Sequence, residues 1–172
     1  MVRISGRWLL GTAPLGLATI LAACGGGSPS SQVQDSVSAR IQTVLKAPPN
    51  NVTVNNVKVT CPSNARAKQG ATFQCQANIE GQLLPYNVVF TSSSHFEATP
   101  TKAVISRTRA ESALRQQISA QLHVDATVNC GNQQLIIKSP GEAFDCQAAA
   151  QGQTRTFHLT VTDVQGNVQV TG

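Results

Sequence analysis

Charge is scarce in this chain of 172 residues: Lys and Arg number 13 and Asp and Glu 8, together 12% of the sequence. Disorder throughout is excluded, because 41% of the residues are hydrophobic and disordered chains combine low hydrophobicity with high net charge. Aromatic residues are few, with one Trp, one Tyr and five Phe. Only three histidines occur, and no Cys-x-x-Cys pair, so metal ligation and thiol redox chemistry lack their usual spacings. No run beyond the N-terminus is long and apolar enough to span a bilayer. The length suits one compact domain or two small ones and excludes a large multidomain enzyme.

The N-terminus carries an address. Arg3 and Arg7 precede an apolar stretch from Trp8 to Leu21, which ends in the small residues Ala22 and Ala23 before Cys24. A basic region, a short apolar segment and small residues at its end predict a secretory signal over residues 1–23. Leu21-Ala22-Ala23-Cys24 resembles the bacterial lipobox, which implies a diacylglyceryl group on Cys24 and, with it, palmitate-type acylation. Two acyl chains hold a protein stably at a bilayer, each buried methylene contributing about 0.8 kcal/mol. Residues 24–31, rich in Gly and Ser, are expected to act as a flexible tether. The expected location is therefore the extracytoplasmic face of the cell membrane, in the envelope. Without Arg3 and Arg7 the mature chain has 11 basic and 8 acidic residues. That mild excess is dispersed, Trp8 leaves with the signal, and nucleic-acid binding is not expected.

The rest of the chain repeats itself. Gly70-Ala71-Thr72-Phe73-Gln74-Cys75-Gln76-Ala77 and Gly141-Glu142-Ala143-Phe144-Asp145-Cys146-Gln147-Ala148 share Gly-x-x-Phe-x-Cys-Gln-Ala at an offset of 71. Gly81-Gln82 aligns with Gly152-Gln153, and Tyr86, Val88 and Phe90 with Phe157, Leu159 and Val161, at the same offset. Cys61 matches Cys130 at an offset of 69, so the second copy has two extra residues between its cysteines. This predicts an internal duplication, with units at 32–98 and 104–172.

Each copy opens with a helical stripe. Val37, Ile41, Val44 and Leu45 form the first, with Asp35 or Ser36 as the expected N-cap and Pro48-Pro49 as the stop. Leu114, Ile118 and Leu122 form the second, with Thr108 and Glu111 spaced as a capping box. Period-two alternation then marks strands: Val57, Val59 and Cys61; Phe73, Cys75, Ala77 and Ile79; Tyr86, Val88 and Phe90; and a last strand from Val168 to Val170. Short turns at Glu80-Gly81-Gln82 and Gln151-Gly152-Gln153 predict hairpins and hence antiparallel sheets. The expected fold class is α+β, a tandem repeat in which each unit has one N-terminal helix packed on a three- to four-stranded antiparallel sheet. With Cys24 set aside, four cysteines remain, an even number in an exported chain. Each copy holds one at the end of a strand and one inside the next, on the core-facing parity, which selects Cys61 with Cys75 and Cys130 with Cys146.

Chemistry-bearing constellations are missing. Ser92-Ser93-Ser94-His95 sets a hydroxyl beside an imidazole, but without a third orienting residue or a strand-to-helix elbow it reads as a solvated turn. His123 falls at a helix end, and His158 points outward from its strand. The acidic residues show no paired spacing and no phosphate loop occurs, so no enzyme, catalytic residue, metal site or cofactor is expected. Asn51-Val52-Thr53 matches a glycosylation acceptor, a signal that bacteria do not usually read.

A lipobox, a short helix, Val59-Thr60-Cys61-Pro62, then Gly-x-x-Phe-x-Cys and an alternating strand resemble the actinobacterial, often mycobacterial, lipoproteins that carry the DUF4333 domain. The second copy departs from that pattern, with Cys130-Gly131 in place of Cys-Pro. The resemblance implies an envelope location and assigns no activity. A looser likeness of architecture links paired helix-and-sheet units to secreted β-lactamase-inhibitor proteins, which grip a protein. The sheets are expected to leave one polar face open: Gln74, Gln76, Asn78, Asn87 and Thr91 in one copy, and Gln147, Thr156, His158, Thr160 and Thr162 in the other. A non-enzymatic binding or scaffold module with an envelope protein partner is the expected function. The alternatives are an inhibitor of an envelope enzyme and a carrier of a small apolar ligand held between helix and sheet, where Ala77, Ala148, Ala149 and Ala150 leave room.

Overall fold

The computed structural model describes residues 7–8, 28–48 and 50–171. Two compact units divide the chain, one within residues 13–101 and one formed by residues 102–172 together with the short N-terminal strand β1 (Arg7–Trp8). Residues 9–27, with Cys24 and most of the expected signal, lie outside the described residues.

The first unit begins with helix α1 (Pro29–Lys46), which starts six residues before Asp35. Ser28 is its N-cap: the hydroxyl accepts from the Ser31 amide at 3.3 Å, and Pro29 occupies the first turn with φ already set for a helix. The last residues of the expected tether are thus helical, and Ser30 is buried. A Ser-Pro pair at the start of a helix reads as flexible by composition, yet it supplies both the cap and the preset φ. The stripe Val33, Val37, Ile41, Val44 and Leu45 is buried. Four antiparallel strands follow in the order in which they occur: β2 (Val57–Thr60), β3 (Thr72–Ile79), β4 (Gln82–Phe90) and β5 (Phe96–Pro100). Alternation along them buries Val59, Cys75, Ala77, Ile79, Leu84, Tyr86, Val88, Phe90 and Phe96. Phe90 stacks tilted between Phe73 and Phe96, with ring centroids 5.9 and 5.8 Å away. Helix α1 lies against β2, where the Ser38 hydroxyl donates to the Val57 carbonyl at 3.4 Å.

The second unit runs β6 (Ala103–Ser106), α2 (Arg107–Leu122), β7 (Thr127–Asn129), β8 (Leu135–Lys138), β9 (Ala143–Ala150), β10 (Gln153–Val161) and β11 (Val168–Thr171). The main sheet has the order β1-β11-β10-β9-β7, and β6 pairs with β8 in a separate two-stranded ladder. One cluster of Ala110, Leu114 and Ile118 from α2, Ile105 and Ile136 from the small ladder, and Phe144, Cys146, Phe157, Leu159, Val161, Val168 and Val170 from the main sheet fills the interior. The small ladder is an addition to the expected unit, and it uses the longer interval between Cys130 and Cys146.

The capping box at α2 does not form. Ser106 is the N-cap, Thr108 bonds the Ser106 hydroxyl at 3.0 Å, and the Glu111 carboxylate accepts instead from the amide of Cys130 at 3.0 Å. Arg107 donates to the Gly131 carbonyl at 3.0 Å and lies 3.7 Å from Glu111, so α2 is clamped to the chain around Cys130. A tertiary partner has taken the carboxylate that local spacing assigned to the helix's own first turn.

Both long hairpins close through two-residue turns. Glu80 and Gly81 have φ of 50° and 88°, and Gln151 and Gly152 have 50° and 75°, the doubly left-handed pattern that matches strand twist. A Cβ on Gly81 or Gly152 would meet nothing within 4 Å, so backbone φ and not space requires glycine there. Ahead of β9, the Ser139 amide donates to the Glu142 carboxylate at 2.6 Å.

Cys61 bonds Cys75 and Cys130 bonds Cys146, the expected pairs. Replacing Cys130 and Cys146 together by Ser is expected to lower the unfolding free energy by about 3 kcal/mol, the chain-entropy value for a loop of this size, as read from urea denaturation. A second test concerns pH. The Ser139 amide holds the Glu142 carboxyl below the ordinary carboxylate range. Its contribution is therefore present above that range and lost as pH falls through the depressed folded value. Glu142→Gln should flatten this part of the stability profile, and carbon-detected NMR titration should place the Glu142 midpoint below that of a glutamate in an unfolded peptide.

Candidate functional site

The outward residues of each sheet form rows set by register. In the first unit these rows are Lys58, Asn78 and Leu83; Thr60, Gln76 and Pro85; Gln74, Asn87 and Thr99; and Thr72, Val89 and Glu97. Gln74 donates to the Asn87 side-chain oxygen at 3.0 Å, tying β3 to β4 on the open side. Asn78 accepts from the Gly81 amide at 2.8 Å, so it serves the turn before it serves any partner. Gln76 is half-buried between Thr60 and Pro85, and its amide makes no side-chain hydrogen bond among the described residues. Leu83 is 54% exposed and Val89 38%, which with Pro85 gives β4 an apolar outward stripe that the expected polar face did not include.

The second face has the rows Thr127, Ala149 and Thr154; Asn129, Gln147 and Thr156; Asp145, His158 and Thr171; and Ala143, Thr160 and Gln169. His158 Nδ1 and Asp145 Oδ1 are 2.6 Å apart, with both side chains more than half exposed. Thr160 and Thr171 hydroxyls meet at 3.1 Å, and Asn129 accepts from the Gly131 amide at 2.8 Å. Where β4 is apolar outside, β10 presents Thr154, Thr156 and Thr160.

Asp145 escaped the sequence reading, although its signal was present. The offset of 71 carries Gln74 to Asp145 and Asn87 to His158, so the hydrogen-bonded Gln–Asn pair of one sheet becomes an Asp–His pair at the same place in the other. Thr91 and Thr162 both lie just beyond their strands, in the turns. Their backbone amides donate to the carbonyls of His95 and Asn167.

The Ser-His turn is closer to a dyad than its spacing suggested. Ser92 and Ser94 hydroxyls lie 3.1 and 3.0 Å from His95 Nδ1. Ser92 also accepts from the amides of Ser94 and His95, so it caps the turn. Two hydroxyls share one ring nitrogen, and no carboxylate bonds the ring among the described residues; this arrangement holds a loop shut. His123 ends α2 in the left-handed region, at φ 56°. Among the described residues no group of three His, Cys, Asp or Glu is arranged to hold a metal ion.

The first unit now has a relative. A DUF4333 domain, described as a domain of unknown function, spans residues 16–95. The DUF4333 match takes in α1, β2, β3, β4 and the Ser-His turn, and it begins ahead of Cys24. No curated protein and no solved structure matches the chain.

Two carboxylates of the second unit should behave oppositely. Asp145→Ala is expected to change stability by less than about 1 kcal/mol, because an exposed ion pair gains little over its hydrated parts. Glu111→Ala leaves the Cys130 amide without its acceptor and should cost about 1–3 kcal/mol. Urea denaturation of both variants makes the comparison.

Proposed function

We propose that this chain is an exported, lipid-anchored lipoprotein whose two units are copies of one module, and that its open sheet faces bind a protein of the bacterial envelope without catalysis. The lipobox-like Leu21-Ala22-Ala23-Cys24 falls inside the DUF4333 match, which supports reading it as part of the domain's pattern. Two intramolecular disulfides suit an oxidising compartment outside the cytoplasm. No described helix is long and apolar enough to cross a membrane.

Register supports reading the units as copies. β3 and β4 pair as Phe73 with Val88 and Cys75 with Tyr86; β9 and β10 pair as Phe144 with Leu159 and Cys146 with Phe157, each 71 residues on. Their next strands differ by one position, Phe90 facing Phe96 and Val161 facing Val168, because the second connecting turn is one residue longer.

The observation that carries the binding role is the composition of the faces. Gln76, Gln147, Thr154, Thr156 and Thr160 present hydrogen-bonding groups without the desolvation cost of a charge, and Leu83 and Val89 add apolar area to the first unit's face. Such a surface loses less than a charged one when water leaves it, provided that the partner completes its hydrogen bonds.

Photo-crosslinking residues at positions 76 and 147 in intact host cells, followed by mass spectrometry, should each yield a dominant protein adduct. In the protein without probes, Gln76→Ala, Gln147→Ala and Thr160→Ala combined should abolish co-purification of the captured protein while leaving the fold intact by circular dichroism. Unchanged co-purification and an unchanged envelope phenotype would remove the faces from the function.

A further inference from the structure

Where a sheet stops, its last strand presents unpaired amides and carbonyls, and natural edges are guarded by charge, proline or shortness. The outer strands of the first unit follow this rule. β2 carries Lys58 on its exposed side, and β5 carries Glu97 and ends in Pro100, which has no amide to donate. At one side of the second unit's main sheet, β7 is only three residues long. The other side is different. β11 reads Val168-Gln169-Val170-Thr171, without charge or proline, and β1 is seated on it, Trp8 opposite Val168 and Arg7 opposite Gln169.

Backbone direction shows what β11 offers to a strand beside it. The Thr162 amide donates to the Asn167 carbonyl at 2.8 Å, and the same register sets Thr160 opposite Gln169 and His158 opposite Thr171. Antiparallel pairs alternate, so Gln169 and Thr171 turn their backbone groups to β10, while Val168 and Val170 turn theirs to the outer side. The Val168 and Val170 side chains belong to the interior cluster, and those of Gln169 and Thr171 are exposed. A strand added here therefore meets the backbone groups of two valines, with an apolar row on one face and a polar row on the other. β1 lies within residues 1–23, the segment read as a removable signal. Its removal makes β11 the outer strand.

We propose that export uncovers this edge and that β11 then pairs, antiparallel about a two-fold axis, with β11 of a second copy of this chain. The inference rests on the reading of residues 1–23 as a cleaved signal, and it concerns the sheet edge and not the open faces. One register satisfies both backbone and side chains: Val168 opposite Val170, and Gln169 opposite its own counterpart. The outward amides and carbonyls of Val168 and Val170 then bond across the axis, and the apolar row continues from one copy into the other. No charge on β11 meets a like charge. A two-fold contact must be complementary to itself, and this strand meets that condition. Once paired, neither copy has an open β11 edge, so association stops at two.

Gln169 marks the axis, at a non-hydrogen-bonded position where facing Cα atoms lie about 4.5 Å apart, within disulfide reach. In host membranes, mild oxidation of mature Gln169→Cys should give a disulfide-linked dimer. Thr171→Cys, also exposed on β11 but facing Asn167 of the other copy, should give none. Gln169→Lys sets like charges directly opposite and should weaken dimerisation of the lipidated protein in detergent by about five-fold, as read from sedimentation equilibrium. Intact mass separates the two ways of failing. A chain cleaved before Cys24 that sediments as a monomer and yields no Gln169→Cys dimer overturns the edge pairing and leaves the lipoprotein reading standing. Equal cross-linking by the two cysteines, or capture of a different protein by Gln169→Cys, overturns the pairing as well. A chain that keeps residues 1–23 removes reading and inference together, because β1 then holds the edge.

Discussion

Each unit depends on one covalent bond placed where its sheet is weakest. The β2–β3 ladder runs from Val57 opposite Ile79 to Thr60 opposite Gln76, and Cys61 and Cys75 are the next pair in that register. Cys130 and Cys146 continue the β7–β9 ladder in the same way past Asn129 and Gln147. The first strand of each sheet is only 4 or 3 residues long and joins the sheet through a long connection, not a tight turn. A slip of one residue there would turn Val59 out and Lys58 in, and the disulfide forbids it. The hairpins need no such pin, because their two-residue turns fix register locally.

What could be read from the chain follows the range of the forces involved. Period-two alternation, the Gly81 and Gly152 turns and the cysteine parity are local signals, and β3, β4, β9 and β10 fall where they point. Two of the failures are cases in which a distant group took the place of a neighbour. Glu111 has the spacing for a capping box but accepts from Cys130, 19 positions away. The strands β6 and β8 stabilise each other across the whole of α2 and β7, a pairing with no counterpart in the first unit to suggest it. At α1 the signal was local and was misjudged, since Ser28 and Pro29 look like tether until their capping geometry is considered. The face residues were legible as outward positions, whereas their partners were not. Asp145 with His158, and Thr160 with Thr171, required the register of three strands.

Comparing the units separates what the scaffold must keep from what it can vary. Inward positions 71 apart stay apolar: Phe73 and Phe144, Ala77 and Ala148, Val88 and Leu159, Phe90 and Val161. Outward positions change character: Leu83 to Thr154, Pro85 to Thr156, Val89 to Thr160, Gln74 to Asp145. Core volume constrains the first set, because a buried methylene is felt throughout a close-packed interior. Solvent constrains the second set weakly, so the outer chemistry differs between the units, and the first carries an apolar stripe where the second has threonines. Tyr86 and Phe157 break the rule, differing on the inside.

The placement of the disulfides also sets how the units respond to tension. A pull on the chain ahead of Cys61, resisted at β4, travels through the sulfur bridge directly to β3. The segment from 62 to 74 is bypassed and stays slack however hard the N-terminal end is drawn. In the second unit the disulfide likewise bypasses the segment from 131 to 145, but β8 within it is still loaded through its ladder with β6. In the first unit the load therefore runs along the hairpin and the first strand, while the loop between Cys61 and β3 bears none.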